Sequence, residues 1–507
     1  MLAGIDYFIV IAYIVGMLLL GLYFKKFVDS SEDYFLAGRS LPFWAIGMSI
    51  VVSDIGAIDF VGISGQAYRY GISVGNFDWI GSVPAMLLAA FIFIPYFWRG
   101  GMYTIPEYLG RRYNLTVRTI ASVTWILFFA LDLGVLFWAS AVLLNVLMGW
   151  AIWTSILATA TVVGLYTYFG GITAVIMTDV VQMVIMFVGG FALIYLSLDA
   201  VGGWHALVDK VTNMGPEYRS HFDIIQPSDS TSPFPWTGIL FGLTFVMSNA
   251  YMIGNQSIIQ RTLTAKNEWH AKASMIFASA LKMFIPILVL FPGLIAVALI
   301  PGLEDGDKAL PSMIKEVLPP GLIGLMFAAF FAALMSSVDS LLNSTATLFT
   351  KDIYEPYINK NASDKHLLNV GRITTLVLLG IGVATSPISA EYPGMYVAIQ
   401  TFMSYFQGPL FAILLLGIFW KRTTQWGGLS ALIIGIGSAI YMNVTKDQHF
   451  TIEDPFLYIS WWSFVVGFIV NVTVSLFTKP HSEERLEGLV FSAKIMESKK
   501  IINNIKR

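Results

Sequence analysis

The sequence predicts an all-α integral membrane protein with about thirteen transmembrane helices. Of its 507 residues, 56% are hydrophobic and only 12% are charged, whereas soluble domains carry about 25% charged residues. Its apolar runs are long enough to cross a hydrocarbon core of about 30 Å. A chain of this composition needs lipid around it, so the bilayer is the first partner that we predict.

The predicted spans account for most of the chain. They cover approximately residues 7–23, 42–67, 77–98, 117–148, 152–170, 176–198, 236–260, 273–300, 322–349, 368–388, 395–420, 423–444 and 456–478. The first span lacks the flanks of a cleavable signal, because Asp6 precedes it and Lys25 and Lys26 follow it. We therefore expect this span to remain as a membrane helix.

Positive charge is divided unequally between the two sides of the predicted membrane. An odd number of spans places the termini on opposite sides, and most of the 30 Lys and Arg residues fall in the loops of one side and in the tail from Lys479. By the positive-inside rule, that side is cytoplasmic. We predict a multi-pass protein of the cell membrane, plasma or inner, with its N-terminus outside and its C-terminus in the cytoplasm.

The order of the spans predicts an inverted repeat. The span that begins at Pro42 enters from the cytoplasm, the span that begins near Trp236 enters from outside, and five spans separate their starts. Two units of five helices with opposite orientations make such a repeat. The predicted units are an extra helix and loop at 1–41, the first repeat at 42–198, an external loop at 199–235, the second repeat at 236–420, two further helices at 421–478 and a cytoplasmic tail at 479–507.

Each predicted repeat opens with a helix that is irregular at mid-depth. The polar and glycine residues concerned are Ser53, Asp54, Gly56 and Asp59 in the first helix, and Ser248, Asn249, Gly254 and Asn255 in the second. Such residues fit a broken helix whose freed amides and carbonyls line a cavity. The second break is less well marked, because no glycine or proline lies between Ser248 and Tyr251.

The span at 322–349 carries a polar face. At about 100° per residue, one arc of this helix collects Ser336, Ser337, Asp339, Ser340, Asn343, Ser344 and Thr347. A charged side chain at the bilayer centre costs about 2.5–3.5 kcal/mol on insertion scales, so Asp339 should face a partner, a cavity or an ion. Hydroxyl and carboxyl oxygens suit hard cations. The arc predicts a cation site; the alternative is that its hydroxyls only bond to carbonyls of their own helix.

The residues disfavour several other functional classes. The chain has no cysteine, which excludes thiolate metal sites and cysteine nucleophiles, and its net charge of -2 gives no reason to expect nucleic acid. The stretch from Gly71 to Gly75 matches the G-x-S-x-G pattern of serine hydrolases, but no strand precedes Ser73. We predict a transporter rather than an enzyme. A membrane sensor that only binds a solute is the alternative from another class.

Six segments resemble the sodium:solute symporter family, and above all its sodium/sugar cotransporter branch. They are DYFLAGRSLPFW at 33–44, YTIPEYLGRRY at 103–113, FGGITAVIMTDVVQ at 169–182, IIQRTLTAK at 258–266, NSTATLFTKDIY at 343–354 and GIFWKR at 417–422. The resemblance implies a ten-helix inverted-repeat core (5+5), with one helix before it and two after it. It also implies a symporter that couples inward sodium flow to solute uptake by alternating access.

The resemblance also implies where sodium binds. The family's main sodium site would use the carbonyls of Val52, Ile55 and Ala333 and the hydroxyls of Ser336 and Ser337. A second sodium site, which some relatives have, would consist of Asp179, Ser337, Asp339 and Ser340. Asp339 stands where those relatives usually have a hydroxyl residue, so a buried acid that titrates is the alternative. One or two sodium ions would then be co-transported, and proton coupling is the rival hypothesis.

The family's sugar contacts carry over to eight positions of this sequence: Asp54, Asp59, Asp78, Asp132, Ser248, Tyr251, Lys282 and Gln400. Carboxylates are good acceptors for sugar hydroxyls, and Lys282 is expected to pair with one of them. Four acids and one lysine would repel a carboxylate solute. We therefore expect a neutral sugar or cyclic polyol, with an amino sugar, a cationic solute or another organic solute as alternatives. No obligatory protein partner is implied.

Overall fold

The computed structural model describes residues 3–24, 26, 30–230, 232–391, 394–452 and 454–491. This part of the chain is helical and contains no β-strand, only two isolated bridges. A helix satisfies its backbone N–H and C=O groups within its own segment, which lipid requires. The predicted all-α class is confirmed.

The main helices are numbered in chain order. They are α1 (Gly4–Phe24), α2 (Phe43–Asp54), α3 (Ser64–Tyr70), α4 (residues 77–99), α5 (Ile105–Arg112), α6 (Leu115–Met148), α7 (Ile152–Val201), α8 (Gly203–Thr212), α9 (Gly238–Gly254), α10 (Gln256–Leu263), α11 (Glu268–Lys282), α12 (Ile285–Leu299), α13 (Ala309–Val317), α14 (Leu322–Leu348), α15 (Asp364–Thr385), α16 (Met395–Ser404), α17 (Gln407–Phe419), α18 (Gln425–Val444) and α19 (Phe456–Phe477). Shorter α-helical segments lie at Ser31–Leu36, Glu355–Tyr357, Lys446–His449 and Glu483–Leu486.

Helices lie over all of the predicted spans, although length and apolarity by themselves identify fewer crossings. In the described part of the chain, nine helices are long and apolar enough to cross a membrane, or ten if α16 and α17 form one bent span. α2, α9 and the first part of α7 are shorter apolar helices. The number of thirteen spans therefore stays a prediction.

One predicted boundary between spans is not a helix boundary. The spans predicted at 152–170 and 176–198 both lie in α7, which has 50 residues. At 1.5 Å per residue this helix would be about 75 Å long, more than twice the thickness of the hydrocarbon core. The turn between the two spans is predicted at residues 171–175. It adjoins residues 165–171, whose side chains the structure does not describe. The described helix therefore has no end between these two predicted spans, and their separation stays a prediction.

The first repeat opens with a broken helix, as predicted. α2 ends at Asp54, and Ile55 has an extended backbone with φ −109° and ψ 91°. The N–H of Gly56 then donates to Asp59 Oδ2 at 2.7 Å, which holds the turn that leads into a π-helical turn and α3. A side chain at Gly56 would have its Cβ 2.9 Å from Ser337 Oγ. Glycine is required here because α14 passes against the break.

The second repeat also opens with a broken helix, and the break lies at Asn255. The backbone of Asn255 leaves the helical region with φ −73° and ψ 122°. Its side chain accepts a hydrogen bond from the N–H of Ser257 at 2.8 Å and so caps α10. Ser248 and Tyr251 lie within the helix that precedes the break. The helix therefore continues past Ser248 and Tyr251 and is interrupted at Asn255, which caps the next helix.

α14 is buried along nearly its whole length, since every residue from Met326 to Leu348 is buried. Small side chains allow α7 to approach closely: a Cβ added to Gly189 of α7 would lie 2.9 Å from the Cβ of Ala329. α1 is fastened to the start of α14 by Asp6, whose Oδ1 accepts from the N–H of Gly321 and of Gly324, each at 2.7 Å. The close packing predicted for the alanine-rich part of this span is present.

The span predicted at 395–420 is bent. α16 ends at Ser404, α17 begins at Gln407, and the two axes differ by 44°. Gly408 lets α19 pack against the bend, because a Cβ there would lie 2.6 Å from Ser460 O. The sequence-based prediction of a single span here did not use the Gly408–Pro409 pair, which favours a break in a helix.

The tail folds back onto the helical bundle in its described part. Arg485 donates to Tyr113 O at 2.6 Å, Tyr108 donates to Leu489 O at 3.0 Å, and the N–H of Phe491 donates to Ile418 O at 2.7 Å. Residues 483–491 therefore connect the end of α17 with the segment between α5 and α6. The rest of the predicted tail lies outside the described residues.

Candidate functional site

A cavity lies between the two broken helices. It is formed by the break after α2, by α4, α6, α9, α11 and α16, and its walls enclose about 970 Å³ including the open mouth. All eight residues predicted to contact a sugar line it: Asp54, Asp59, Asp78, Asp132, Ser248, Tyr251, Lys282 and Gln400. Residues from both predicted repeats thus face one space.

Lys282 links three helices at the wall of this cavity. Its ammonium donates to Asp78 Oδ1 at 2.5 Å and forms an ion pair with Asp54. It also lies 3.4 Å from Ser82 Oγ. The three charged side chains come from α11, α4 and α2, and each is less than a tenth exposed. The predicted pairing of Lys282 with an acid is present, and it involves two acids.

The other two acids of the cavity have different surroundings. Asp59 is held by the N–H of Gly56, so it supports the broken helix as well as facing the cavity. Asp132 projects from α6 into the cavity wall, near the charge of Asp54. Among the described lining residues, four carboxylates therefore face one ammonium. The acidic side chains of the wall therefore outnumber the basic one.

Neutral polar groups complete the wall. Tyr251 lies on α9 beside Asp54, and Gln400 lies on α16 beside Tyr396. Ser248 is so close to α4 that a Cβ at Gly81 would lie 2.5 Å from its Oγ. Hydroxyl and amide groups offer both donors and acceptors, which suits a solute with many hydroxyls.

The predicted main sodium site lies where α14 crosses the break after α2. Ser337 Oγ donates to Ser53 O at 3.2 Å, and Ser53 Oγ lies 3.1 Å from Ser336 Oγ. The other predicted ligands, the carbonyls of Val52, Ile55 and Ala333, belong to fully buried residues of the same two helices. The last carbonyls of a helix lack partners within it, so the end of α2 offers oxygens beside the two hydroxyls.

The predicted second sodium site already contains a positive charge. The guanidinium of Arg261 lies 3.4 Å from Asp179 Oδ2 and 2.5 Å from Ser340 Oγ. Asp179 Oδ2 also accepts from Ser49 Oγ at 2.5 Å and from Ser53 Oγ at 3.1 Å. Asp339 is fully buried on α14, and its charge acts on Arg261. Two of the predicted ligands, Asp179 and Ser340, thus contact an arginine.

The side chain of Arg261 is buried between helices. The charge count places Arg261 with the cytoplasmic loop residues, but its side chain is 0% exposed. It lies on α10, beyond the second break, where it can reach Asp179 of α7. A lone arginine next to polar residues gives no local signal of burial, because its partners come from distant segments.

Part of the polar arc of α14 is structural. Gln260 Nε2 donates to Asn343 Oδ1 at 2.8 Å and lies 2.9 Å from Thr347 Oγ1. These contacts hold α10 against α14, below the hydroxyls of the predicted sodium site. Asn343 and Thr347 of the arc thus make contacts between helices, and a cation site at the other residues of the arc stays a prediction.

The sodium and solute positions are adjacent. Ile55 and Ser337, which belong to the predicted main sodium site, also line the cavity. Several lining residues are absent from the sequence-based assignment: Ser53, Ser82, Ser257, Tyr396 and Gln407. A serine, tyrosine or glutamine in an apolar span is common, so only the fold distinguishes these residues from structural ones.

Comparison with known proteins identifies the family. The model of the sodium:solute symporter family matches residues 34–435. The chain belongs to this family. It is 33% identical over 502 residues to a sodium/glucose cotransporter of Vibrio parahaemolyticus, covering 94% of this chain and 91% of the relative. It is 32% identical over 535 residues to the human sodium/myo-inositol cotransporter 2, covering 96% of this chain and 78% of the relative.

Solved structures support the same fold. An outward-open, substrate-bound Na⁺-coupled sialic acid symporter superposes with a TM-score of 0.83 at 22% identity, covering 95% of this chain and 99% of the other. Mhp1, a nucleobase-cation-symport-1 family transporter, gives a TM-score of 0.55 at 13% identity, covering 91% of this chain and 99% of the other. The symporter described here is thus a multi-pass membrane transporter, not an enzyme, and it couples solute movement to sodium.

Proposed function

We propose that this symporter takes up a neutral sugar or a cyclic polyol. The observation that carries the proposal is the cavity in which hydroxyl, amide and carboxylate groups of both predicted repeats converge beside Ser337. Paired carboxylates accept hydrogen bonds from neighbouring sugar hydroxyls. Relatives named as sodium/glucose and sodium/myo-inositol cotransporters support this solute class. A carboxylate solute would meet a net negative wall.

The proposed transport cycle couples the two sites through the break after α2. Sodium at the carbonyls of α2 and the hydroxyls of Ser336 and Ser337 would hold α2 and α14 together, and so order the cavity beside them. Solute binding would then favour closure on the outer side and opening inward. Each ligand needs only to bind the shared state better than the alternative state. A membrane potential adds about 2.3 kcal/mol per 100 mV for each sodium ion that enters.

The proposed orientation follows from the charge distribution. We place the N-terminus outside and the C-terminus in the cytoplasm, with the predicted units at 42–198 and 236–420 as the two repeats. The short α5 and the docked residues 483–491 would then lie at the cytoplasmic side. Protease accessibility of residues 483–491 in sealed right-side-out vesicles tests this orientation: cleavage from outside would reverse it.

A second candidate solute is an amino sugar. Four carboxylates and a single ammonium line the cavity, and Lys282 is already held by Asp54 and Asp78. A protonated amine on the solute would place its charge near Asp59 or Asp132.

Uptake into proteoliposomes tests these proposals together. The probes are D-glucose, myo-inositol, D-glucosamine and D-gluconate, each with an inward sodium gradient or an inward proton gradient. We expect sodium-driven accumulation of glucose or inositol and none of gluconate. Accumulation of glucosamine only would establish the second candidate solute. Accumulation of gluconate would overturn the proposal that the carboxylates of the cavity repel an anionic solute.

A further inference from the structure

Gln407 lies at the junction of two cavities. It is the first residue of α17, directly after the bend from α16, and it lines both the solute cavity and a second, narrow cavity of about 340 Å³. Its side chain is buried, with 1% of the residue exposed. In the described structure, neither its Nε2 nor its Oε1 has a hydrogen-bond partner.

An amide in this position is costly unless something binds it. Burying a polar group without a hydrogen bond is unfavourable, and leaving both the donor and the acceptor of one amide unpaired raises the cost. A leucine of similar size would carry no such cost. Because both ends of the amide are free at a junction of cavities, the group is arranged to receive a polar ligand.

The second cavity extends from this junction toward α5. Its other walls are almost entirely apolar and come from α5, α6, α9 and α17: Ile105, Pro106, Leu109, Ala121, Trp125, Ala250, Gly254, Leu410, Phe411 and Leu414. α5 carries Arg111 and Arg112 in its last turn and lies in a segment that the charge distribution assigns to the cytoplasmic side. Among the described residues that line this cavity, Gln407 is the only side-chain amide, and it also lines the larger cavity.

We propose that Gln407 is an inner solute contact, which donates one hydrogen bond and accepts another from hydroxyls of the sugar or polyol at the inward end of the cavity. The inference rests on the proposed function. Its amide is uncharged, so it offers both kinds of hydrogen bond without adding to the four carboxylates. Gln400 occupies a different place, on α16 before the bend and beside Tyr396. The two glutamines would contact opposite ends of one solute.

Substitution combined with altered solutes tests the contact. The variant is Gln407→Leu, and the probes are whichever of D-glucose and myo-inositol the wild type accumulates, together with its monodeoxy analogues. A site built to bond a hydroxyl discriminates strongly against a solute that lacks it. In the wild type, we expect at least one deoxy analogue to lose about tenfold in kcat/KM. In the variant, kcat/KM for the parent solute should fall about tenfold, which corresponds to about 1.4 kcal/mol. The value of kcat/KM for that analogue should not fall further, because the analogue already lacks the hydroxyl that Gln407 would bind.

Two controls separate a contact from a structural role. Gln182→Leu removes another buried glutamine, which lies on α7 away from both cavities and donates to the Tyr13 hydroxyl at 3.3 Å. Its effect should be equal for the parent and for every analogue. If Gln407→Leu fails to fold, Gln407→Met replaces it in the same test, because methionine keeps the length of the side chain and also removes the amide.

The outcomes separate the two proposals. An equal loss for the parent and all analogues, or no loss, with Gln407→Leu overturns the contact and leaves the proposed function intact. A wild type that accumulates neither glucose nor inositol overturns the proposed function, and the contact with it. If Gln407→Leu no longer discriminates between the parent solute and the analogue that lacks one particular hydroxyl, the result supports both the contact and the proposed function.

Discussion

At the scale of single residues, the paired charges of the cavity decide both stability and affinity. Lys282 lies between Asp54 and Asp78 and so neutralises carboxylates that come from two other helices. A buried ion pair is worth little relative to an apolar replacement, but removal of one partner leaves an uncompensated charge. The ammonium therefore holds the wall in shape while the free faces of the carboxylates remain available to a solute.

Replacement of this ammonium should destabilise the protein. Lys282→Met leaves two carboxylates close together, and breaking a buried pair costs about 3–5 kcal/mol. We expect a markedly lower melting temperature in detergent, followed by intrinsic fluorescence of the 14 tryptophans. Asp78→Asn is the control, because Lys282 keeps Asp54 as a partner and the loss should be smaller. Equal melting temperatures for wild type and Lys282→Met would contradict the role of the ion pair.

The hydroxyl of Ser337 should affect sodium more than solute. Ser337→Ala removes one predicted sodium ligand, and we expect the half-saturating sodium concentration to rise about tenfold, equivalent to about 1.4 kcal/mol. Solute KM at saturating sodium should change far less. The measurement is uptake as a function of sodium at fixed solute, with Ser344→Ala as a buried serine control on the same helix. A change in solute KM without a change in sodium dependence would remove Ser337 from the sodium site.

Asp307 should make stability depend on pH. It lies in the loop between α12 and α13, where its Oδ2 accepts from the N–H of Met395 at 3.1 Å. Burial, and to a lesser extent Asp305, raise its pKa to about 7, against the opposing effects of that hydrogen bond and of Arg69. Between the unfolded pKa of 3.8 and about 7, the folded state binds more protons than the unfolded state. Its contribution to stability is thus complete below pH 4 and is lost as the pH rises through 7.

The measurement is the melting temperature between pH 5 and pH 8 for wild type and Asp307→Asn. The wild type should melt progressively earlier toward pH 8, and the variant should lack the part of this change that is due to Asp307. A variant with the same pH dependence as the wild type would show that other groups cause it.

At the scale of helices, glycines set how closely the elements pack. Gly242 of α9 faces α19, and a Cβ there would overlap the carbonyl oxygen of Leu457. Gly56 allows the same close approach between α14 and the break after α2, and Gly189 allows it between α14 and α7. The helices outside the predicted repeats are therefore not loosely attached, because α19 packs directly against the first broken half of the second repeat.

A methyl group at Gly242 should separate α9 from α19. For Gly242→Ala we expect a lower melting temperature and a reduced yield of monodisperse protein in size-exclusion chromatography, since the obstacle is backbone and cannot rotate away. Gly437→Ala on α18 is the matched control: no atom lies within 4 Å of its added Cβ, and a helical glycine replaced without strain gains about 0.4–1 kcal/mol. If Gly242→Ala were as stable as Gly437→Ala, the close approach would not be required.

At the scale of the whole molecule, the resident arginine bears on the coupling ratio. Arg261 supplies positive charge to Asp179 and Ser340 in the place predicted for a second sodium ion. We therefore propose one sodium ion per solute. Simultaneous uptake of ²²Na⁺ and labelled solute into proteoliposomes should give a flux ratio of one. A ratio of two would require a second sodium ion to bind beside the guanidinium. Asp179 Oδ1 could then be one of its ligands, since this atom has no hydrogen-bond partner in the described structure.

The prediction of the fold from the sequence succeeds where the signal is local. The membrane class, the helical class and the first broken helix follow from apolar runs and from polar or glycine residues within them. The bend between α16 and α17 has a local signal too, the Gly408–Pro409 pair, but the prediction of a single span at 395–420 did not use it. The count of thirteen spans and the role of each proposed ligand stay predictions.

The sequence by itself determined which residues are chemically out of place in lipid: Asp54, Asp78, Asp179, Lys282 and the hydroxyls of α14 are polar groups within apolar runs. Only the tertiary structure decided what each one meets. Arg261 binds Asp179 from 82 positions away, and Gln407 lies between two cavities whose walls come from several helices. A local pattern records the polarity of a side chain, whereas its partner depends on how distant helices pack, and that information is spread over the whole chain.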